Sequence, residues 1–220
     1  MPITLTFNEK RNGCIYLALS LLLLPGLISL LPLDAARQNL VYYLLNFSCV
    51  ILIFRRFLRM NLAVALDRVF PVVWYGILGY LGYQTLGEML NMLIYSLFPG
   101  FVNLNDISVA LMIRENLPLA LAVILLVPVA EETLFRGLVF RGLYDRNPLL
   151  AYLVSIGTFA AIHVAGYAGV LTPLNLLLSF VQYLPAGYCL CFTYRRSGTI
   201  LCPILIHMAI NTMSVYALVR

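Results

Sequence analysis

Apolar runs long enough to cross a membrane follow one another along almost the whole chain, with short charged connections between them. Seven runs can be drawn, at residues 13–33, 40–54, 69–98, 117–140, 149–165, 174–194 and 198–219. About 20 apolar residues span the hydrocarbon layer of a bilayer as a helix. Only 10% of the residues are charged, whereas a soluble domain carries about 25%. The sequence therefore predicts an all-α, polytopic transmembrane bundle of about seven spans.

The basic residues predict how this bundle is oriented. The connections hold 13 of the 14 Lys and Arg residues, and ten of these 13 fall in alternate connections: Lys10, Arg11, Arg55, Arg56, Arg59, Arg68, Arg141, Arg146, Arg195 and Arg196. Arg37, Arg114 and Arg220 occupy the other connections. Because cytoplasmic loops carry the excess of basic residues, we expect a cytoplasmic N-terminus, an outer C-terminus and an uncleaved first helix. The net charge of +5 then reflects orientation, and no nucleic-acid partner is expected. The compact chain favours a bacterial plasma membrane.

A few ionisable side chains lie inside the apolar runs, where a charge costs about 2.5–3.5 kcal/mol. Apart from Cys and Tyr they are Glu88, Glu131, Glu132, Arg136, His163 and His207. Counted along their helices, Glu131, His163 and His207 lie at similar depths, about 13–21 Å from the basic ends of their spans. We therefore expect one carboxylate and two imidazoles from three helices to form a single site.

Spacing within the helices indicates how these groups would work. Residues four apart share a helix face, so Arg136 can neutralise Glu132. In the same way Asn211 shares a face with His207. Glu131 would then be free to take a proton from water, as a general base does. The alternatives are a purely structural ion pair and histidines that only hydrogen-bond helices together.

Three short motifs carry a family resemblance: EETLFRG at 131–137, FAAIH at 159–163 and HMAIN at 207–211. They resemble the EExxxR, FxxxH and HxxxN signatures of the CPBP intramembrane proteases, which include CAAX-processing endopeptidases and bacteriocin-processing or self-immunity proteins. The resemblance implies a protease core over 111–217, with residues 1–110 forming variable helices that frame substrate entry.

The same resemblance implies a role for each site residue. Glu131 would be the base, His163 would share the water, and His207 with Asn211 would stabilise the oxyanion. Glu132 and Arg136 would orient their neighbours. No cofactor or metal is expected, although zinc bound by Glu131, His163 and His207 is a second possibility on ligand grounds.

The predicted function is an intramembrane endopeptidase that hydrolyses a membrane-associated or lipidated peptide or protein. Its partners would be that substrate and the lipid bilayer. One alternative is a non-catalytic member of the same family that acts in bacteriocin self-immunity or as a scaffold. Another is a proton or ion transporter, but the chain lacks the internal repeat found in many transporters. The identity of the substrate and the oligomeric state stay open.

Overall fold

The computed structural model describes residues 3–114 and 116–219, with side chains to residue 217. The described residues form helices and no strand. In chain order the α-helices are α1 (Phe7–Leu22), α2 (Leu24–Ser29), α3 (Ala35–Ile53), α4 (Arg55–Asp67), α5 (Val69–Leu97), α6 (Leu104–Ile113), α7 (Leu117–Glu132), α8 (Arg141–Tyr144), α9 (Pro148–Val164), α10 (Pro173–Gln182), α11 (Leu184–Ser197) and α12 (Leu201–Val219). A π-helix, Thr133–Phe140, joins α7 to α8, and a 3₁₀ turn, Ala165–Tyr167, follows α9.

Helices cover all seven predicted apolar runs, but fewer of them are membrane spans by length and composition. Three continuous helical stretches are long and apolar enough: Leu117–Tyr144, Pro148–Tyr167 and Pro173–Ser197. A fourth is obtained if α4 and α5, which meet at 97°, count as one broken span. The all-α membrane fold is therefore supported, whereas the number seven and the direction of the termini stay predictions.

The helix boundaries follow from capping residues in the sequence. Thr6 and Glu9 form a reciprocal capping box at the start of α1, which satisfies otherwise unpaired amides. Asp34 and Asn147 accept hydrogen bonds from the first turns of α3 and α9. Gly198 ends α11 with a φ of 79°, a left-handed conformation that glycine adopts readily.

Glycines allow the N-terminal helices to approach the later ones closely. A Cβ atom placed on Gly79 of α5 would overlap Cγ2 of Thr193 in α11. A Cβ atom on Gly13 of α1 would lie 3.1 Å from Cδ2 of Leu138 in the π-helix. Small residues at such positions allow helices to pack tightly in membranes.

Among the described residues, the two largest of four buried hydrophobic clusters each contain residues from both halves of the chain. The first includes Phe54 and Phe57 beside Leu134 and Tyr194. The second includes Val72, Phe135, Phe159, Leu190 and Ile206. Residues before 110 thus pack directly on the predicted protease core, and the boundary near residue 110 stays a prediction.

Basic residues from distant parts of the chain meet at one end of the bundle, which we call the basic end. Arg56 lies 2.7 Å from Glu9 of α1. Arg195 lies over the Tyr144 ring, 5.6 Å from its centroid. A Cβ atom on Gly198 would touch the guanidinium of Arg68. The alternate connections with most of the arginines are therefore neighbours in the fold, as the charge pattern predicts.

Candidate active site

The last turn of α7 and the π-helix after it supply three of the candidate site residues. Glu131 and Glu132 are the last two residues of α7, and Arg136 lies in the π-helix. A π-helix within an α-helix is rare and often marks a functional site. Pro128 inside α7 removes one amide donor just before the site, and the Thr133 hydroxyl donates to the Val129 carbonyl at 2.7 Å.

Glu132 and Arg136 form an ion pair that is wholly buried. Arg136 Nη1 lies 3.1 Å from Glu132 Oε1, and both side chains are 0% exposed. The guanidinium also donates from Nη2 to the Gly187 carbonyl at 3.4 Å and lies 4.2 Å from the centroid of the Phe159 ring. The structure therefore contains the pair that the four-residue spacing predicts, and it adds partners from α9 and α11.

His207 from α12 bridges the two glutamates. Its Nδ1 atom lies 2.8 Å from Glu132 Oε1. An ionised carboxylate can only accept a hydrogen bond, so Nδ1 carries the proton and Nε2 points away from Glu132. Nε2 lies 4.0 Å from Glu131 Oε2. Glu132 thus fixes the orientation of an imidazole whose second nitrogen faces Glu131.

Glu131 differs from its neighbour because it has no strong partner. Its Oε2 atom is buried and has no hydrogen-bond partner among the described residues. The side chain lines a cavity of about 30 Å³ between α1, α3 and α7. A single water needs roughly 10–15 Å³ by this measure, so the cavity is large enough for water. Its polar lining includes Ser20, Tyr42, Tyr43 and Asn46.

His163 and Asn211 make their hydrogen bonds to backbone carbonyls and not to the two glutamates. His163 Nδ1 is 2.8 Å from the Phe159 carbonyl, and its ring stacks on Tyr183 with centroids 4.3 Å apart. In the part of the chain that the structure describes, His163 makes no ion-pair contact with either glutamate. Asn211 donates from Nδ2 to the Val123 carbonyl at 2.8 Å.

The site residues predicted from the sequence therefore divide into two sets. The structure brings Glu131, Glu132, Arg136 and His207 together. Both imidazoles also contact the Phe159 ring, at centroid distances of 4.7 Å for His163 and 5.8 Å for His207.

The zinc possibility can be compared with the positions of the donor atoms. Zinc sites usually take four ligands at about 2.0–2.3 Å. Within residues 3–114 and 116–219, no three His, Cys, Asp or Glu side chains form a group that could hold a metal ion. Glu131, His163 and His207 therefore do not fit a zinc ion in this arrangement.

The sequence reasoning missed the cavity wall opposite Glu131. Ser20 belongs to α1, and Tyr42, Tyr43 and Asn46 belong to α3. Asn46 is 8% exposed and accepts a hydrogen bond from the Tyr16 hydroxyl at 2.9 Å. A search restricted to readily titratable groups passes over hydroxyls, amides and phenols. These polar side chains could have been found from the sequence, because they occur within otherwise apolar runs.

The fold and the site define a helical membrane protein with a buried cluster of carboxylates, a guanidinium and an imidazole. The family described as type II CAAX prenyl endopeptidase Rce1-like matches residues 113–213, a range that contains all three motifs. The chain belongs to this family of proteases, which confirms the resemblance seen in the motifs.

A curated relative extends the similarity beyond the protease core. The "Uncharacterized 24.3 kDa protein" of Escherichia coli is 30% identical over 176 residues, which cover 77% of this chain and 75% of the relative. The similarity to this relative therefore includes helices that precede the family match. No solved structure matches the chain.

Proposed function

We propose that this chain is an intramembrane endopeptidase that hydrolyses a peptide bond in a membrane-associated or lipidated peptide, using water activated by Glu131. Membership of a protease family supports the reaction class. The observation that carries the proposal is the buried Oε2 of Glu131, which has no hydrogen-bond partner among the described residues and lies 4.0 Å from His207 Nε2. The same side chain lines the water-sized cavity.

A distance of 4.0 Å between two acceptor atoms suits one bridging water. It is too long for a direct hydrogen bond, and polar atoms at such a separation are commonly joined through water. In the proposed step, Glu131 Oε2 takes one proton of this water while its oxygen forms a bond to the carbonyl carbon of the substrate. The C–N bond then breaks, and protonated Glu131 returns the proton to the leaving nitrogen.

Glu132 and Arg136 would act through His207. The carboxylate of Glu132 holds Nδ1–H, so that Nε2 can accept a hydrogen bond from the water. Arg136 neutralises Glu132, which matters because an unpaired buried charge is strongly destabilising. These two residues are therefore proposed as positioning residues.

The other two residues retain hydrogen-bonding capacity for the substrate. Asn211 uses Nδ2 toward Val123, but an amide nitrogen has two hydrogens. We assign it to stabilisation of the oxyanion, an effect worth about 3–4 kcal/mol for one donor in known cases. His207 would join Asn211 as a donor to the oxyanion only when Nε2 is also protonated. His163 Nδ1 faces the Phe159 carbonyl, and among the described residues Nε2 has no hydrogen-bond partner. We assign His163 to holding the attacking water, while Glu131 protonates the leaving nitrogen.

Cleavage of a farnesylated peptide ending in a CAAX sequence tests the proposal. The purified protein in liposomes should cleave the peptide, and Glu131→Gln should lower the rate by about 10²–10⁴-fold, the usual contribution of general base catalysis. Glu88→Gln is the matched control, because Glu88 is an exposed glutamate in another apolar helix. A Glu131→Gln variant that cleaves as fast as the wild type would refute the proposed mechanism. Tight peptide binding by the wild type without cleavage would instead favour the non-catalytic alternative.

A further inference from the structure

A second cavity lies at the basic end, beside α8. It has a volume of about 160 Å³ and is lined by Thr4, Leu5, Lys10, Gly137, Arg141, Gly142, Asp145 and Arg146. None of these residues belongs to the proposed catalytic set. The N-terminal segment, α1, the π-helix and α8 each contribute to its wall.

The charges around this cavity favour an anion. Lys10, Arg141 and Arg146 supply three positive charges, and Asp145 supplies the one negative charge. Hydrogen bonding to Arg141, followed by the charges of Arg141 and Lys10, holds the pKa of Asp145 below its ordinary value of 3.8. Asp145 is therefore ionised at neutral pH, and the lining keeps a net charge of +2.

Arg141 has donor capacity that Asp145 does not use. Its side chain is only 9% exposed, and Nη1 pairs with Asp145. Its Nε atom is buried and has no hydrogen-bond partner within the described ranges. A guanidinium has five N–H donors in a planar fork that matches phosphate oxygens. Gly142 leaves the wall open, since no atom lies within 4 Å of a Cβ placed there.

We propose that this cavity binds a phosphate group, supplied by an anionic phospholipid of the leaflet around the basic end. Basic pockets between membrane helices on the cytoplasmic side commonly bind such headgroups. The cavity lies beside Tyr144, where the span Leu117–Tyr144 ends, so its depth is that of the lipid headgroups. Free inorganic phosphate is the other source of the same chemistry.

Lipid binding to the full-length protein tests this site. Native mass spectrometry would compare phosphatidylglycerol with phosphatidylcholine bound to wild type, Lys10→Gln and Arg146→Gln. A direct hydrogen bond from a cationic side chain to a phosphate is worth about a tenfold or larger change in affinity. We therefore expect each substitution to weaken phosphatidylglycerol binding by about tenfold or more and to leave phosphatidylcholine binding unchanged.

Arg11→Gln is the matched control, because Arg11 follows Lys10 on α1 but does not line the cavity. An equal loss of phosphatidylglycerol in Arg11→Gln would overturn the proposal, since it would show a diffuse charge effect. In a second experiment, inorganic phosphate is titrated into the delipidated protein, and the thermal unfolding of the protein is measured at each concentration. Saturable stabilisation that Lys10→Gln removes, without any preference for phosphatidylglycerol, would overturn the lipid as the source. A phosphatidylglycerol preference with no response to phosphate supports it.

Discussion

Substitution of the two adjacent glutamates should have opposite consequences. We expect Glu132→Gln to lower the stability of the protein, and Glu131→Gln to lower its activity with little effect on stability. Glu132 Oε1 accepts hydrogen bonds from Arg136 Nη1 and His207 Nδ1, at 3.1 and 2.8 Å. Among the described residues, the one ion-pair contact of Glu131 is with His207 Nε2 at 4.0 Å. Glu132→Gln leaves the Arg136 charge buried without its counter-ion, which costs about 3–5 kcal/mol. Glu131→Gln breaks no hydrogen bond with the described residues, so its cost should stay below about 1 kcal/mol.

The difference in stability can be measured in detergent by heating each variant and then determining the remaining folded fraction by size-exclusion chromatography. For a chain of this length, 1 kcal/mol corresponds to roughly 2–4 °C. We therefore expect Glu132→Gln to unfold about 6–20 °C below the wild type and Glu131→Gln to unfold within about 4 °C of it. Adding Arg136→Gln to Glu132→Gln should restore part of the loss, because no charge then stays unpaired. Equal unfolding temperatures for the two single variants would refute this reasoning.

Three further predictions concern the ion pair of Glu9 with Arg56, the contact of Gly79 with Thr193, and metal dependence. Burial would raise the pKa of Glu9, but hydrogen bonds from Thr6, Arg56 and Phe57 outweigh it and hold the pKa below 4.5. The wild type should therefore lose stability as the pH falls below 4.5, and Glu9→Gln should flatten that part of the melting profile. Gly79→Ala should lower the free energy of unfolding by about 1–3 kcal/mol through overpacking. Gly76→Ala is the control and should leave the free energy of unfolding unchanged, because no atom lies within 4 Å of its new Cβ. Similar melting temperatures for the two variants would contradict the close contact between Gly79 and Thr193. Peptide cleavage should persist in 1,10-phenanthroline, and a loss that added zinc reverses would revive the metal hypothesis.

The helical character and the buried ion pair could be predicted from the sequence. Apolar runs and charged connections place the helices because a polar backbone must satisfy its hydrogen bonds internally within lipid. The four-residue spacing of Glu132 and Arg136 brings them onto one face, and the structure has them 3.1 Å apart. Both predictions depend only on the geometry of a single helix, and the spacing of residues in the sequence determines that geometry directly.

The relative positions of the two histidines could not be predicted in the same way. Matched depth places His163 and His207 at one level of the bundle but says nothing about rotation around the helix axes. His163 packs against Phe159 of its own helix, α9, and its ring stacks on Tyr183, which lies between α10 and α11. The second contact is distant along the chain, so the spacing within α9 does not predict it. Likewise the π-helix depends on how Thr133–Phe140 packs, and the sequence contains no mark for it beyond Pro128.

The π-helix also limits how this segment can change during evolution. A π-turn accommodates one residue more than an α-turn, and one residue corresponds to about 100° of rotation around a helix. Deleting a single residue between Thr133 and Phe140 would rewind the segment and swing Glu131 and Glu132 away from the imidazole, although every motif letter before it stayed in place. We therefore expect homologues to keep the length of this stretch unchanged.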